Sequence, residues 1–471
     1  MDPRPIRALI GERMQITNLN PDADIGASAW HVEFEGHGLL LDAGIHPKRE
    51  GREGLPLLGK LAADAVDAIV ISHCHHDHVG ALPVALRQFP HASVLMTELS
   101  YFLVERILHN SVNVMERQRE ELGIREYPLF THEEVDDFAA VFQGFRYRRP
   151  IEWAPHHRRQ SAGRLPTIEF FDAGHTLGSA GVLVRGAKQS LFYSGDVCFH
   201  DQTLLRRAEF GEVRADVLIL ESTRGAREVP RGFTREDEIE RLAESVVNVL
   251  KRKGSVLIPA FALGRTQEIL ATLALWMAEG RIRRQPVFIG GLGRVFTEIY
   301  DLESHRANRN LSGLKLTEAL DLRVLSPNLV QSMKLSTGHI FVLTAGMMNP
   351  NTAAHDLAVR MAGDERHGIF FVGYADPDAP GGRLKKSKPG VEFHFSDSGG
   401  RLKRRCQLED FDLTAHANRE DLISLVGNVD PKVVILGHGD GPARAWMEDE
   451  IRHQFPRIRV EQPGPGEKVK G

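Results

Sequence analysis

The stretch Ser72-His73-Cys74-His75-His76-Asp77-His78-Val79-Gly80 decides the reading of this chain, because it packs imidazoles and a carboxylate in H-x-H-x-D-H order behind an apolar run. That run, Val66-Asp67-Ala68-Ile69-Val70-Ile71, has the apolar and β-branched character of a buried strand, and Gly80 closes the cluster. The donors therefore belong on a loop at the strand's C-terminal end. An isolated histidine is usually an ordinary core or surface residue, whereas this many titratable groups at one strand end would crowd one another without a metal to hold. Imidazole with carboxylate suits zinc, whose catalytic sites take three protein ligands and leave one position open. His73, His75, Asp77 and His78 already exceed what one such ion uses, so a pair of ions is expected.

A two-metal site needs further donors at strand ends where a glycine lets the backbone come close. Phe170-Phe171-Asp172-Ala173-Gly174-His175-Thr176-Leu177-Gly178 offers His175, Leu191-Phe192-Tyr193-Ser194-Gly195-Asp196 offers a carboxylate able to bridge two ions, and Val433-Val434-Ile435-Leu436-Gly437-His438-Gly439-Asp440 repeats the pattern. Each alone reads as a turn. Taken in this order, with Asp42 in Leu39-Leu40-Leu41-Asp42-Ala43-Gly44, they resemble the motifs of the metallo-β-lactamase superfamily. The resemblance implies that His73, His75 and His175 hold one zinc, that Asp77, His78 and His438 hold the other, and that Asp196 bridges them. It also implies that Asp42 orients the ligand loop by hydrogen bonding, as metal-ligating groups generally require.

Three further segments narrow the branch. Asp216-Val217-Leu218-Ile219-Leu220-Glu221-Ser222-Thr223-Arg224 ends a strand on an acid, Phe411-Asp412-Leu413-Thr414-Ala415-His416-Ala417-Asn418 places a histidine before a helix, and Val256-Leu257-Ile258-Pro259-Ala260-Phe261-Ala262-Leu263-Gly264-Arg265 opens a strand-to-helix unit. These look like the motifs of the β-CASP nucleases, with Glu221, His416 and His438 at the three characteristic positions. The resemblance extends over most of the chain. It implies a zinc-dependent ribonuclease working with two zinc ions and leaving a five-prime phosphate and a three-prime hydroxyl. Asp77, Glu221 and His416 would be its catalytic residues, with His416 as general acid held by Glu221. A histidine at the position of His438 goes, in that family, with RNA-cleaving members rather than the DNA-repair branch.

The fold class expected is α/β: an αββα sandwich of metallo-β-lactamase type, carrying an inserted α/β β-CASP domain of mostly parallel sheet. Residues 1–225 would form the first part of the sandwich, 226–385 the insert and 386–471 the completion. Within the insert, Thr234-Arg235-Glu236-Asp237 reads as a capping box opening a helix whose apolar positions Ile239, Leu242, Val246 and Leu250 share a face, with Gly254 as the stop. Strands then alternate with helices, which argues for a parallel sheet covered by helices. Donors on both sides of the insert can meet only if the final segment rejoins the beginning. Gly464-Pro465-Gly466 reads as the start of a disordered tail.

A composition 42% hydrophobic and 26% charged over 471 residues fits a globular protein, and the apolar runs are far short of the ~20 residues that span a bilayer. Met1-Asp2-Pro3-Arg4-Pro5 has no apolar leader core, so a cytoplasmic location is expected. Cys74, Cys198 and Cys406 make no C-x-x-C pair, which argues against a disulfide framework. The net charge of −4 does not by itself announce a nucleic-acid partner. Local runs do: Arg383 to Lys388, Arg401 to Arg405, and Arg146, Arg148, Arg149, Arg158, Arg159 and Arg164. Such basic runs attract phosphates, and the β-CASP resemblance implies single-stranded RNA as the substrate, with Arg265 and Arg383 as candidate contacts. Arg265 equally suits bracing of the domain interface. The loop Asn18-Leu19-Asn20-Pro21-Asp22-Ala23-Asp24-Ile25-Gly26-Ala27-Ser28 and the segment Ala375-Asp376-Pro377-Asp378-Ala379-Pro380-Gly381-Gly382 depart from the usual β-CASP sequence. They leave room for a specialised substrate, a dedicated protein partner or a homodimer. A DNA nuclease and a thioester or lactam hydrolase are the competing activities, and a non-catalytic scaffold is disfavoured because every ligand position is filled.

Overall fold

The computed structural model describes residues 14–153, 165–344, 347–396 and 400–471. Backbone contacts divide the chain into two compact units, one of residues 1–200, 207–228 and 416–471, the other of 201–206 and 229–415.

The first unit is built on two seven-stranded sheets. One runs, in spatial order, Lys468–Lys470, Gln15–Asn18, Trp30–Phe34, His37–Leu41, Ala68–Val70, Ser93–Thr97 and Phe142–Phe145, antiparallel at first and parallel from His37–Leu41 onward. The other runs Arg459–Glu461, Val433–Gly437, Val217–Glu221, Ser190–Tyr193, Ala180–Arg185, Thr167–Asp172 and Ile151–Glu152. Its strands read as continuous apolar runs because both faces are covered. Ile168, Phe170, Val182, Val184, Leu191, Tyr193, Val217, Ile219, Val433 and Ile435 face the first sheet across a core with Ile16, Trp30, Val32, Leu39, Leu41 and Val70. The alternate residues Phe171, Leu183, Phe192, Leu218, Leu220, Val434 and Leu436 pack on the helices Arg419–Val429 and Gly441–Gln454. This period of two puts a helix layer outside a two-sheet sandwich. The parallel strands all point their C-terminal ends one way, which gathers the loops carrying His73, Asp196, Glu221 and His438 at one edge. Val433–Gly437 lies parallel to Val217–Glu221 with Gly437 opposite Glu221, so the last donor arrives in register although the insert intervenes in sequence.

The second unit is a six-stranded sheet, parallel throughout, in the order Leu322–Val324, Val287–Ile289, Ile340–Thr344, Val256–Ala260, Gly368–Phe371, Gln407–Asp410. Its helix Arg235–Lys251 begins at Thr234, whose side chain accepts from the Asp237 N–H, and buries Leu242, Val246 and Val249. The junction with the closing part of the sandwich falls later than residue 386. Gln407–Asp410 pairs with Gly368–Phe371 in the insert's own sheet, and residues 229–415 belong to one compact unit. A short polar strand at a sheet edge carries no hydrophobic pattern from which to read its allegiance. The end of the chain also differs from the disordered tail expected of its Gly-Pro-Gly. Gly466 N–H donates to the Asn18 carbonyl, and Lys468–Lys470 pairs antiparallel with Gln15–Thr17, with Val469 against the sandwich core.

Candidate metal centre

Two donor sets converge at the strand-end edge of the first unit. In one, His75 Nδ1 stands 3.1 Å from His175 Nε2, and Asp196 Oδ2 lies 3.6 Å from His73 Nε2 and 3.7 Å from His175 Nε2. In the other, His78 Nε2 is 3.1 Å from His438 Nε2, which is 3.3 Å from Asp77 Oδ2, while Asp196 Oδ1 lies 3.5 Å from His78 Nε2. Ligand atoms set about 2.0–2.2 Å from a tetrahedral ion stand about 3.3–3.6 Å from one another, so spacings near these values suit divalent-metal binding, with the Asp196 carboxylate lying against both donor sets. His73 Nε2 and Asp196 Oδ1 are buried without a hydrogen bond of acceptable geometry. Such atoms are costly unless an ion or other partner satisfies them, and the donor set fits a divalent metal.

The loops are held from behind. Asp42 sits in the left-handed region (φ 60°), and its Oδ1 accepts from the Ser72 N–H at 2.7 Å. Its Oδ2 accepts from Ser72 Oγ at 2.7 Å and lies 2.7 Å from His78 Nδ1, which leaves Nε2 of His78 facing Asp77 and His438. Tyr193 donates its hydroxyl to the same oxygen at 2.6 Å. Thr223 Oγ1 lies 3.0 Å from His438 Nδ1 and orients that ring in the same way. Gly44 permits the approach of the Asp77 backbone: a Cβ there would stand 1.7 Å from the Asp77 carbonyl oxygen. Ser72, Tyr193 and Thr223 have no motif of their own. In sequence they are strand-end residues, and only the tertiary contact reveals their part.

A third group adjoins the first two. Glu221 is buried, accepts from the Val197 N–H at 2.7 Å, and lies 3.2 Å from His416 Nδ1. The His416 ring is 4.7 Å from that of His175 and partly exposed. Without a metal, these groups balance against one another. Burial, reinforced by the neighbouring imidazoles, holds His73 well below the usual histidine range. Burial opposes charge on His78 too, yet Asp196 and Asp42 outweigh it and raise its pKa well above that range. The same contest, decided by Glu221, raises His416. Burial works against ionised Asp196, but the imidazolium charges around it keep it well below the carboxylate range. Protons thus occupy the cluster where cations can, and metal binding must displace them.

Cys74 is buried with its sulfur toward the Ser100 carbonyl, pointing away from the donors, and burial pushes its pKa up to about 12. Arg265 and Arg383 belong to the other unit. Arg265 is buried and donates to the Leu413 carbonyl within that unit, the geometry of a brace, while Arg383 lies half-buried on the helix Pro380–Lys386. Of the basic stretch 146–164, Arg146 is exposed and Arg148 donates to the Glu209 carbonyl, whereas Arg158, Arg159 and Arg164 lie outside the described residues.

A two-sheet sandwich whose strand-end loops present His and Asp donors around one shared carboxylate has the form of a metallohydrolase scaffold. Family models agree along the chain: "Metallo-beta-lactamase superfamily" matches residues 24–231, "Beta-Casp domain" 266–384 and "Zn-dependent metallo-hydrolase RNA specificity domain" 401–463. The chain is thus similar to the metallo-β-lactamase superfamily and, beyond that match, to its β-CASP branch, a likeness that implies divalent-metal binding at these donors. Among its relatives are a cleavage and polyadenylation specificity factor subunit 3 from Dictyostelium discoideum, 26% identical over 96% of this chain and 56% of its own length, and an endoribonuclease ysh1 from Aspergillus fumigatus, 27% identical over 93% and 51%. A probable RNase MJ4 from Methanocaldococcus jannaschii is 26% identical over 97% of this chain and 100% of its own length. The chain thus spans about half the length of most of these curated relatives. A solved structure of a protein of unknown function from Enterococcus faecalis V583 shares the fold, with a TM-score of 0.56 at 12% identity over 98% of this chain and 100% of that one.

Proposed function

We propose that this protein is a zinc-dependent ribonuclease that hydrolyses single-stranded RNA with a pair of zinc ions, leaving a five-prime phosphate and a three-prime hydroxyl. The observation that carries the reading is the Asp196 carboxylate, whose Oδ2 faces His73 and His175 while its Oδ1 faces His78 and His438, with His416 alongside. RNA as the substrate is supported by the names of the relatives and by the RNA specificity domain matched over 401–463. A cytoplasmic location fits three buried cysteines that form no disulfide, and among the described residues no helix is long and apolar enough to cross a membrane. A relative named as a subunit of a cleavage factor favours a protein partner over independent action.

His73, His75, His175 and Asp196 would hold one ion, and Asp77, His78, His438 and Asp196 the other. Zinc bound there supplies Lewis acidity and brings the pKa of water toward about 7. Among the proposed ligands, Asp77 and Asp196 alone are anionic against two divalent ions, so the ligand sphere would stay positive and attract a phosphodiester. A water oxygen bonds to phosphorus and its proton passes to solvent, while the bond to the three-prime oxygen breaks, that oxygen leaves with the electron pair, and His416 gives it a proton. Glu221 accepts from His416 Nδ1, keeps the ring upright and favours its protonated form.

The test is parallel digestion of labelled single-stranded RNA and DNA of one sequence, with Asp77→Ala as blank and zinc counted by elemental analysis. RNA cut by the wild type alone, with two zincs per chain, is expected. Equal cutting of DNA would move the assignment to a DNA nuclease, and protein without transition metal would end the reading.

A further inference from the structure

The donors of this centre come from both sheets: His73, His75, Asp77 and His78 follow a strand of the first, while His175, Asp196 and His438 follow strands of the second. A pair of polyhedra sharing one carboxylate tolerates little slip between the sheets, yet the core between them is apolar and therefore without direction. Polar links between the sheets include the Ala180 N–H donating to the Ser72 carbonyl at 2.8 Å and Thr97 Oγ1 donating to the Gly178 carbonyl at 2.7 Å, and a further one runs from a second-sheet strand to Asp42 itself. Tyr193 ends the second-sheet strand Ser190–Tyr193, three positions before Asp196, and its buried hydroxyl reaches Asp42 Oδ2 of the first sheet at 2.6 Å. Ser28 Oγ stands 3.0 Å from that hydroxyl and fixes it from the other side. The Ser28 backbone is tied to the ligand loop as well, since its N–H donates to the Asp77 carbonyl at 2.8 Å. The Asp42 oxygen that receives the phenol is the one 2.7 Å from His78 Nδ1. Burial and the Asp42 charge raise the Tyr193 pKa well above the usual phenol range, so it remains a donor.

We propose that Tyr193, seated by Ser28, is a positioning residue that registers the two sheets and, through Asp42 and His78, holds the metal bound by Asp77, His78 and His438. This rests on the metal-centre reading above. Its ring packs in the apolar core, and a phenylalanine would keep that packing while cutting the link. Outer partners of this kind typically change metal affinity by about 10–100-fold.

The experiment measures release of zinc from the fully loaded protein to a chromogenic chelator, which needs no RNA. In Tyr193→Phe, one of the two equivalents should leave about 10–100-fold faster while the other keeps the wild-type rate. Ser28→Ala should shift the same equivalent by less. Because Tyr193 acts through Asp42, the double variant Tyr193→Phe/Asp42→Asn should release no faster than Asp42→Asn alone. Wild-type release kinetics in Tyr193→Phe, or effects of the two substitutions that multiply, would overturn the proposal and leave the nuclease reading standing. A wild type that holds no zinc would overturn both.

Discussion

His416 is the residue on which the division of labour turns, because it stands beside the donor sets while its Nδ1 is engaged by Glu221 at 3.2 Å. Replacing it with alanine should cost cleavage about 10²-fold or more and leave the zinc content unchanged, checked by turnover and elemental analysis on one preparation. Loss of metal in that variant would make it a ligand. The proton it gives also sets a pH signature. Burial disfavours its charged form, but Glu221 overcomes this and raises its pKa, so the acid is present below that raised value and the rate falls as pH climbs through it. In Glu221→Gln the carboxylate charge is gone and the imidazole pKa drops, so the descending limb of the kcat profile should move to lower pH. A limb that stays in place would assign it to another group. At this scale the sequence is unequally informative. Histidines and aspartates that ligate announce themselves by spacing, whereas Tyr193 and Thr223 look like any strand-end residue, because their significance lies in what stands opposite them across the sandwich.

At the scale of the element, the ligand loop depends on how closely two backbones pass. Gly44→Ala would set a Cβ 1.7 Å from the Asp77 carbonyl oxygen and 2.2 Å from its carbon, which neither rigid partner can relieve without shifting the turn that carries Asp77 and His78. A loss of about 1–3 kcal/mol is expected, together with weakened zinc retention, measured by urea unfolding and by chelator competition. Thr234→Ala makes the contrast. It removes the side-chain acceptor for the Asp237 N–H at the start of Arg235–Lys251, so it should cost about 1 kcal/mol without changing zinc content. This helix was legible because a cap and a 3.6-residue apolar stripe are local properties. The edge strands Leu322–Val324 and Gln407–Asp410 were not, because the first is only three residues long, the second is largely polar, and both are defined only by the neighbour that pairs with them.

Across the whole molecule, every proposed ligand lies in the unit of residues 1–200, 207–228 and 416–471, and none in the unit of 201–206 and 229–415. The order of the motifs predicted that residues far apart in sequence close one site, but the return point was hidden, since nothing local marks where the chain leaves one sheet for the other. The division has a thermodynamic consequence. A ligand that binds only the folded state stabilises it by about 4 kcal/mol at a thousand times its Kd, and zinc would act on the sandwich alone. Calorimetry of the loaded and chelated protein should therefore show two transitions of which only one moves, by roughly 2–4 °C for each kcal/mol withdrawn. As pH falls through the raised pKa of His78 the shift should shrink, because protons then compete with the ion for that imidazole. If both transitions moved together, or the shift were indifferent to pH, the ion would be acting outside this donor set.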